Sequence, residues 1–189
     1  MQVEQAERYI LEEMRNRLDQ TLFYHGVHHT QDVARTAMEI ASMEDITDQE
    51  SLDLIKTAAL YHDSGFMNTY AGHEEESCRI AEEVLPDFDY NPEQISLICG
   101  MIMATKIPQN PQTHFERIIS DADLDYLGRE DFEPIAATLF EELKARDVVH
   151  EVSKWNEIQV KFIDEHTYWT QSERDRRNAL KEQHLAALR

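Results

Sequence analysis

Glycine and proline are scarce in this chain, five of each in 189 residues. So few turn-formers, beside many Glu, Leu, Ala, Gln and Met residues, point to long helices. Strand-like alternation, internal repeats and low-complexity segments are missing as well. Only two cysteines are present, Cys78 and Cys99. Two cannot build a disulfide framework or a Cys-rich metal site. Each falls in a helical pattern among apolar residues, as free core thiols do. Basic residues are outnumbered, 18 Lys and Arg against 38 Asp and Glu, for a formal net charge of −20. Without a basic patch to neutralise phosphates, a nucleic-acid or anionic-membrane partner is not expected. A small phosphorylated substrate is still compatible, provided that something local and positive meets its charge. Much of the acidity needs no explanation beyond solubility. No apolar run approaches membrane-spanning length. The opening MQVEQAERYILEEM has acidic residues throughout and no apolar stretch of the kind that drives secretion. A cytoplasmic protein is therefore expected.

The apolar share is 41%, enough for one core and too little for two well-filled ones. The expectation is a single all-α domain over residues 1–189, a helical bundle of about eight or nine helices. The helices fall near 2–19, 29–43, 47–63, 73–85, 92–105, 112–127, 131–146, 151–166 and from 170 onward. Thr47-x-x-Glu50 and Thr170-x-x-Glu173 read as capping boxes. Asn91-Pro92 with Gln94 supplies a cap, a first-turn proline and a capping partner in order. Gly128 reads as a helix stop. The least helical stretches are 21–28, 64–72 and 106–111. The apolar content of the outer helices is compatible with a homodimer.

Polar residues on apolar helix faces carry the chemistry. His29 shares a stripe with Val33, Ala37 and Ile40. His62 follows Ile55 and Ala58 at helical spacing, and Asp63 follows Ala59 by four. Asp123 lies four residues from both Ile119 and Leu127. For any single histidine, an ordinary hydrogen-bonded role is the commoner one. The adjacent pair His62-Asp63, with two more such residues, is a different case. A buried carboxylate without a partner costs several kcal/mol, and two near each other are worse unless a cation lies between them. Few Lys or Arg residues are placed to help. A divalent metal ion would resolve the cost, and mixed imidazole and carboxylate ligands suit Mn, Mg, Fe, Co, Ni or Zn alike.

Three pieces together, Tyr24-His25-Gly26-Val27-His28-His29-Thr30 with Val33, Leu60-Tyr61-His62-Asp63-Ser64-Gly65, and Asp121-Ala122-Asp123-Leu124, resemble the HD superfamily of metal-dependent phosphohydrolases. The resemblance covers about residues 24–128 and leaves 131–189 as further helices packing on that core. It implies an HD-domain, phosphodiesterase-like helical fold and a His … His-Asp … Asp ligand set: His29, His62, Asp63 and Asp123. The Ala-Asp-Leu context favours Asp123, as in the related cyclic-nucleotide phosphodiesterases. Asp121 is the fallback, or a residue that holds a ligand in place.

His25 resembles the residue that protonates the leaving oxygen in those phosphodiesterases, although packing or capping would also explain it. His28 reads as a surface residue. His73, which opens the fourth helix, lies where two-metal relatives bind their second ion. Those relatives carry a further histidine on the next helix, where this chain has Thr105, so His73 could instead contact substrate or water. Glu74, Glu75 and Glu76 read as a solvated first turn suited to the helix dipole. Lys106 and Arg129 could each meet a phosphate oxygen or be plain surface residues. The aromatics of the C-terminal stretch read as packing, with a lid role open for His166 or Tyr168.

The function that follows from the resemblance is hydrolysis of a small phosphate ester, whether phosphomonoester, nucleotide or cyclic nucleotide. Asp63 would bind metal and orient or deprotonate water, and His25 would protonate the leaving group. The rivals are a di-iron oxygenase on the same scaffold, a non-catalytic metal- or nucleotide-binding sensor, and a helical interaction protein without metal.

Overall fold

A computed structural model describes residues 1–189. All regular structure is helical, as expected. The elements are α1 Val3–Arg17, α2 Val27–Met43, α3 Gln49–Tyr61, α4 His73–Val84, α5 Pro92–Ala104, α6 His114–Asp123, α7 Phe132–Ala145, α8 Val152–Glu165 and α9 Gln171–Leu188. Three short 3-10 turns interrupt them, Ser64–Met67, Leu85–Phe88 and Asp125–Gly128. No helix is long and apolar enough to cross a membrane.

The apolar stripes bury as their spacing demands. Ile10 and Met14 of α1, Ala37 and Ile40 of α2, Ile55 and Ala58 of α3, Ile98 and Ile102 of α5 and Ile118 of α6 form the main core. Central α2 packs on α3 and α6, while α5 joins α3, α4 and α6. A second, smaller cluster gathers Tyr24, Leu124, Leu127, Phe132, Trp155 and Ile163 under α7 and α8. The interval between the two clusters is where the site lies.

Asn91 caps α5 with Gln94 reciprocating, as expected. A second box, Thr113 with Glu116, opens α6 and went unread. The cap of α3 is Asp48, which accepts from the Ser51 amide, rather than Thr47. Thr170 does cap α9 by accepting from the Glu173 amide at 3.3 Å. Glu173 itself turns inward, fully buried, toward Asp125, Arg176 and Arg177.

The helix expected over 112–127 breaks after Asp123. Leu124 leaves helical geometry (φ −111°, ψ 13°) and a 3-10 turn follows. The carbonyls of Leu124 and Asp125 accept from the buried Tyr168 hydroxyl at 3.2 and 3.3 Å. Tyr168 is thus a strut of the core, not a lid. Gly128 does not end a helix by left-handed geometry, since only Gly72 among the glycines has positive φ. It is needed for close approach: a Cβ there would lie 2.5 Å from the Arg177 carbonyl oxygen of α9.

Candidate metal centre and its cavity

Three helix ends converge on one point. His29 sits in the first turn of α2, His62 caps the C-terminus of α3 with Asp63 next, and Asp123 is the last residue of α6. The C-terminal ends of α3 and α6 carry partial negative charge, which favours a cation between them. One ligand-type atom from each of His29, His62 and Asp123 lies within 4.8 Å of the others. His29 Nε2 is 3.0 Å from Asp123 Oδ1 and 3.5 Å from Asp63 Oδ2. His62 Nε2 is 3.2 Å from Asp63 Oδ2 and 3.4 Å from Asp123 Oδ1.

The chemistry of these atoms fits a metal ion. His62 Nδ1 donates to the Ala59 carbonyl at 2.7 Å, which directs Nε2 into the cluster. Buried Nε2 of His62 and Oδ2 of Asp63 have no aligned hydrogen-bond partner. Such orphans are rare in folded proteins, and an ion is one of the few things that explains them. Burial disfavours the His62 imidazolium, yet Asp63 and Asp123 outweigh it and hold the group well above its ordinary value. Burial pushes Asp63 up, but His62, His25 and His29 pull it further down, below the usual carboxylate range. Asp123 follows the same pattern with His29 and His62. Electrostatics that hold a proton at this point would equally hold a cation.

The turn after Asp63 is tied from beneath. Ser77 Oγ donates to the His62 carbonyl at 2.6 Å and accepts from the Gly65 amide at 2.8 Å. A Cβ on Gly65 would sit 2.0 Å from the His73 carbonyl oxygen, so only glycine lets α4 come this near. The turn carries Phe66, whose ring stacks on both His25 and His73, with centroids 4.4 and 3.9 Å away. His73 Nε2 then lies 3.5 Å from Asp63 Oδ1.

His25 is held by a residue that the sequence reading missed. Glu142 of α7 is fully buried. Its Oε1 accepts from His25 Nδ1 at 2.5 Å and from the Tyr70 hydroxyl at 3.1 Å. Its Oε2 accepts from the amides of Tyr24 and His25 at 2.9 and 3.1 Å. Burial works against the His25 imidazolium, but the Glu142 hydrogen bond, with Asp63, Glu142 and Asp123 charges, raises it above the ordinary histidine value. With Nδ1 engaged, Nε2 is the nitrogen left free on a ring that lines the cavity. A signal existed: Glu142 follows Ile135 by seven residues and Leu139 by three, an acid on an apolar face.

Other expected residues lie elsewhere. Asp121 is not part of the cluster. It is fully buried and accepts from the amides of Trp169 and Thr170 and from the Thr170 hydroxyl at 2.7–2.8 Å, which pins the chain entering α9. The α-helical turn explains this, because residues two apart face different sides. Lys106 is exposed, paired with Glu75, and does not line the cavity. Arg129 is spent on Asp32, Asp125 and Asp131. Glu74 is buried and lines the cavity, whereas Glu75 is exposed, so the first turn of α4 is only partly solvated. Thr105 also lines it, its hydroxyl donating to the Ile102 carbonyl. His28 is exposed, as read. His166 lines a separate small pocket with Gln109 and Trp169.

The cavity has a volume of about 260 Å³, with Asp63, Asp123, His25 and His73 at one end and side chains of α7 and α8 around the rest.

The HD domain family matches residues 26–125, more than half of the chain, and the chain belongs to that family. Among curated proteins no match is found. A predicted HD superfamily hydrolase from an uncultured Thermotogales bacterium, known from its crystal structure, shares the fold at TM-score 0.58 and 22% identity. The match covers 96% of this chain and 86% of that one.

Proposed function

We propose that this protein hydrolyses a small phosphate ester at a divalent cation held by His29, His62, Asp63 and Asp123. The observation that carries the reading is the buried cluster itself: orphaned His62 Nε2 and Asp63 Oδ2, 3.2 Å apart, facing Asp123 and His29 at 3.4 and 3.5 Å. A divalent cation bound there supplies Lewis acidity, lowering the pKa of water and drawing charge from a phosphoryl oxygen.

The chain's own groups do the rest. Asp63 turns Oδ2 to the cluster and Oδ1 toward His73, so one carboxylate can both hold the ion and take a proton from the attacking water. The water oxygen bonds to phosphorus as the ester P–O bond breaks. His25, carrying its proton on Nε2, gives it to the departing oxygen, releasing an alcohol and phosphate. Glu142 fixes the tautomer and orientation of His25. Thr105, at the position where a second-metal histidine would be needed, commits its hydroxyl to Ile102, which supports one cation rather than two and disfavours a di-iron oxygenase.

Elemental analysis of untagged protein tests the reading. Wild type is expected to carry one divalent ion per chain, and a His62→Ala, Asp63→Ala double variant to carry background amounts only. Phosphate release from an ester panel with added manganese should appear in wild type and vanish in the double variant. A wild type without stoichiometric metal under any condition would end the proposal.

A further inference from the structure

The cavity has two unlike ends, and the contrast defines what can occupy it. Its polar end comes from His25 and, within the family-matched part of the chain, from Asp63, His73, Glu74 and Asp123. Its other end is built after residue 125, from Leu127, Phe132, Leu139 and Leu143 with Trp155 and Phe162. Neither Lys nor Arg lines it anywhere. Lys106 and Arg129, the two cations with a sequence claim to the site, are engaged by acids outside. On the α7 and α8 wall, Gln159 is the one polar side chain, its amide making a single long hydrogen bond, 3.4 Å to Asn156.

A ligand placed with its phosphate on the metal end must extend its leaving group into this wall. A second phosphate or a carboxylate there would be buried without a counter-ion, in a protein of net charge −20. A sugar would leave several hydroxyls unpaired, with few groups beside it, the Gln159 amide, the Trp155 indole and the Tyr24 and Tyr126 hydroxyls, to meet them. An apolar group loses nothing and gains by leaving water. A dry cavity of about 150 Å³ is known to hold a benzene ring. On that scale the present one has room for roughly ten non-hydrogen atoms, phosphate included.

We infer that the substrate is a phosphate monoester of an apolar alcohol or phenol, its hydrocarbon group seated between α7 and α8. The inference rests on the phosphohydrolase reading above and adds the substrate class to it. The same wall disfavours nucleoside di- and triphosphates and sugar phosphates.

The test is a homologous series, methyl, butyl and hexyl phosphate, whose leaving groups differ little in acidity. Glycerol phosphate, adenosine monophosphate and ATP serve as polar comparisons. For the manganese-loaded protein, kcat/KM is expected to rise roughly threefold to fourfold per methylene until the cavity is full, and the polar esters to fall below butyl phosphate. Ile158→Lys, a partly exposed position on the wall, should lower the hexyl-to-methyl preference at least tenfold. Binding is read separately with the matching alkylphosphonates, which cannot be hydrolysed. Their affinity should climb with chain length, with a change in Trp155 emission that Trp155→Phe abolishes. Hydrolysis without chain-length dependence, or a preference for adenosine monophosphate or glycerol phosphate, overturns the apolar assignment. No hydrolysis of any ester, with phosphonates still binding by chain length, overturns the phosphohydrolase reading and leaves the apolar chamber standing. Phosphonate binding that ignores chain length overturns the chamber whatever the hydrolysis result.

Discussion

Glu142 and His25 form the pair on which leaving-group protonation would turn. The carboxylate is satisfied by four donors, two of them backbone amides, so its charge is stable in the interior and is felt by the imidazole. Glu142→Gln keeps the shape and an acceptor oxygen but removes the charge that raises His25. Loss of a positioning partner of this kind costs roughly 10–100-fold, expected in kcat with KM little changed. Because the native shift is upward, removing its cause lets His25 lose its proton at lower pH. The alkaline limb of the pH–rate profile should therefore move down in the variant. A limb that stays in place would show that His25 is not the acid. Among these residues, His29, His62 and Asp123 were legible as inward-facing polar groups because they stand on apolar stripes, while their reading as a ligand set came from the family resemblance. Glu142 lay equally in view, but its partner is more than a hundred residues away, and nothing in the local pattern names it.

Elements are held to the site by two glycines with ordinary φ, and by what passes over them. Gly65 admits α4 and thereby sets His73 beside Asp63. Gly128 admits α9 against the turn Asp125–Gly128. Gly128→Ala puts a methyl group 2.5 Å from a backbone oxygen and 2.6 Å from the Arg177 Cβ, neither of which can move alone. The expected cost is about 1–3 kcal/mol, as for other overpacked sites, measured by urea unfolding. An unchanged midpoint would mean that α9 shifts freely, contrary to its buried Asp125–Arg177 contact at 2.6 Å. Helix spans were readable because the 3.6-residue period is a local property. Breaks were not: the end of α6 depends on the Tyr168 hydroxyl, 44 residues on from Leu124, taking carbonyls that a longer helix would have used.

At the level of the whole molecule, buried acids set opposing pH trends. Burial pushes Asp121 up to about 6 despite its hydrogen bonds, and burial with the adjacent Asp125 pushes Glu173 up to about 8. Raised folded-state values mean that the native state holds these protons more tightly than the unfolded chain. Their contribution is complete below about pH 4 and is lost as pH rises through about 6 and about 8. Asp63, Asp123, Asp125 and Glu142 are held below their ordinary values. Their contribution is present above about pH 4 and is lost on acidification. Stability should therefore peak at weakly acidic pH, near about 5–6, and Tm should fall from pH 6 to pH 9. Glu173→Gln cannot ionise and should recover roughly 1–3 kcal/mol of the loss at pH 9. Parallel Tm curves for variant and wild type across that range would refute the assignment.

Composition and periodicity were sufficient for an all-helical fold, and the His … His-Asp … Asp order for the family, because helical spacing and burial preference act within a few residues of chain. Only the tertiary structure decided that Asp121 serves the entry to α9, that Lys106 faces Glu75, that Glu142 reaches His25, and that α7 and α8 enclose an apolar chamber beside the His–Asp cluster. Each of those depends on which distant side chain arrives opposite, and a partner's arrival is a property of packing, which no local spacing encodes.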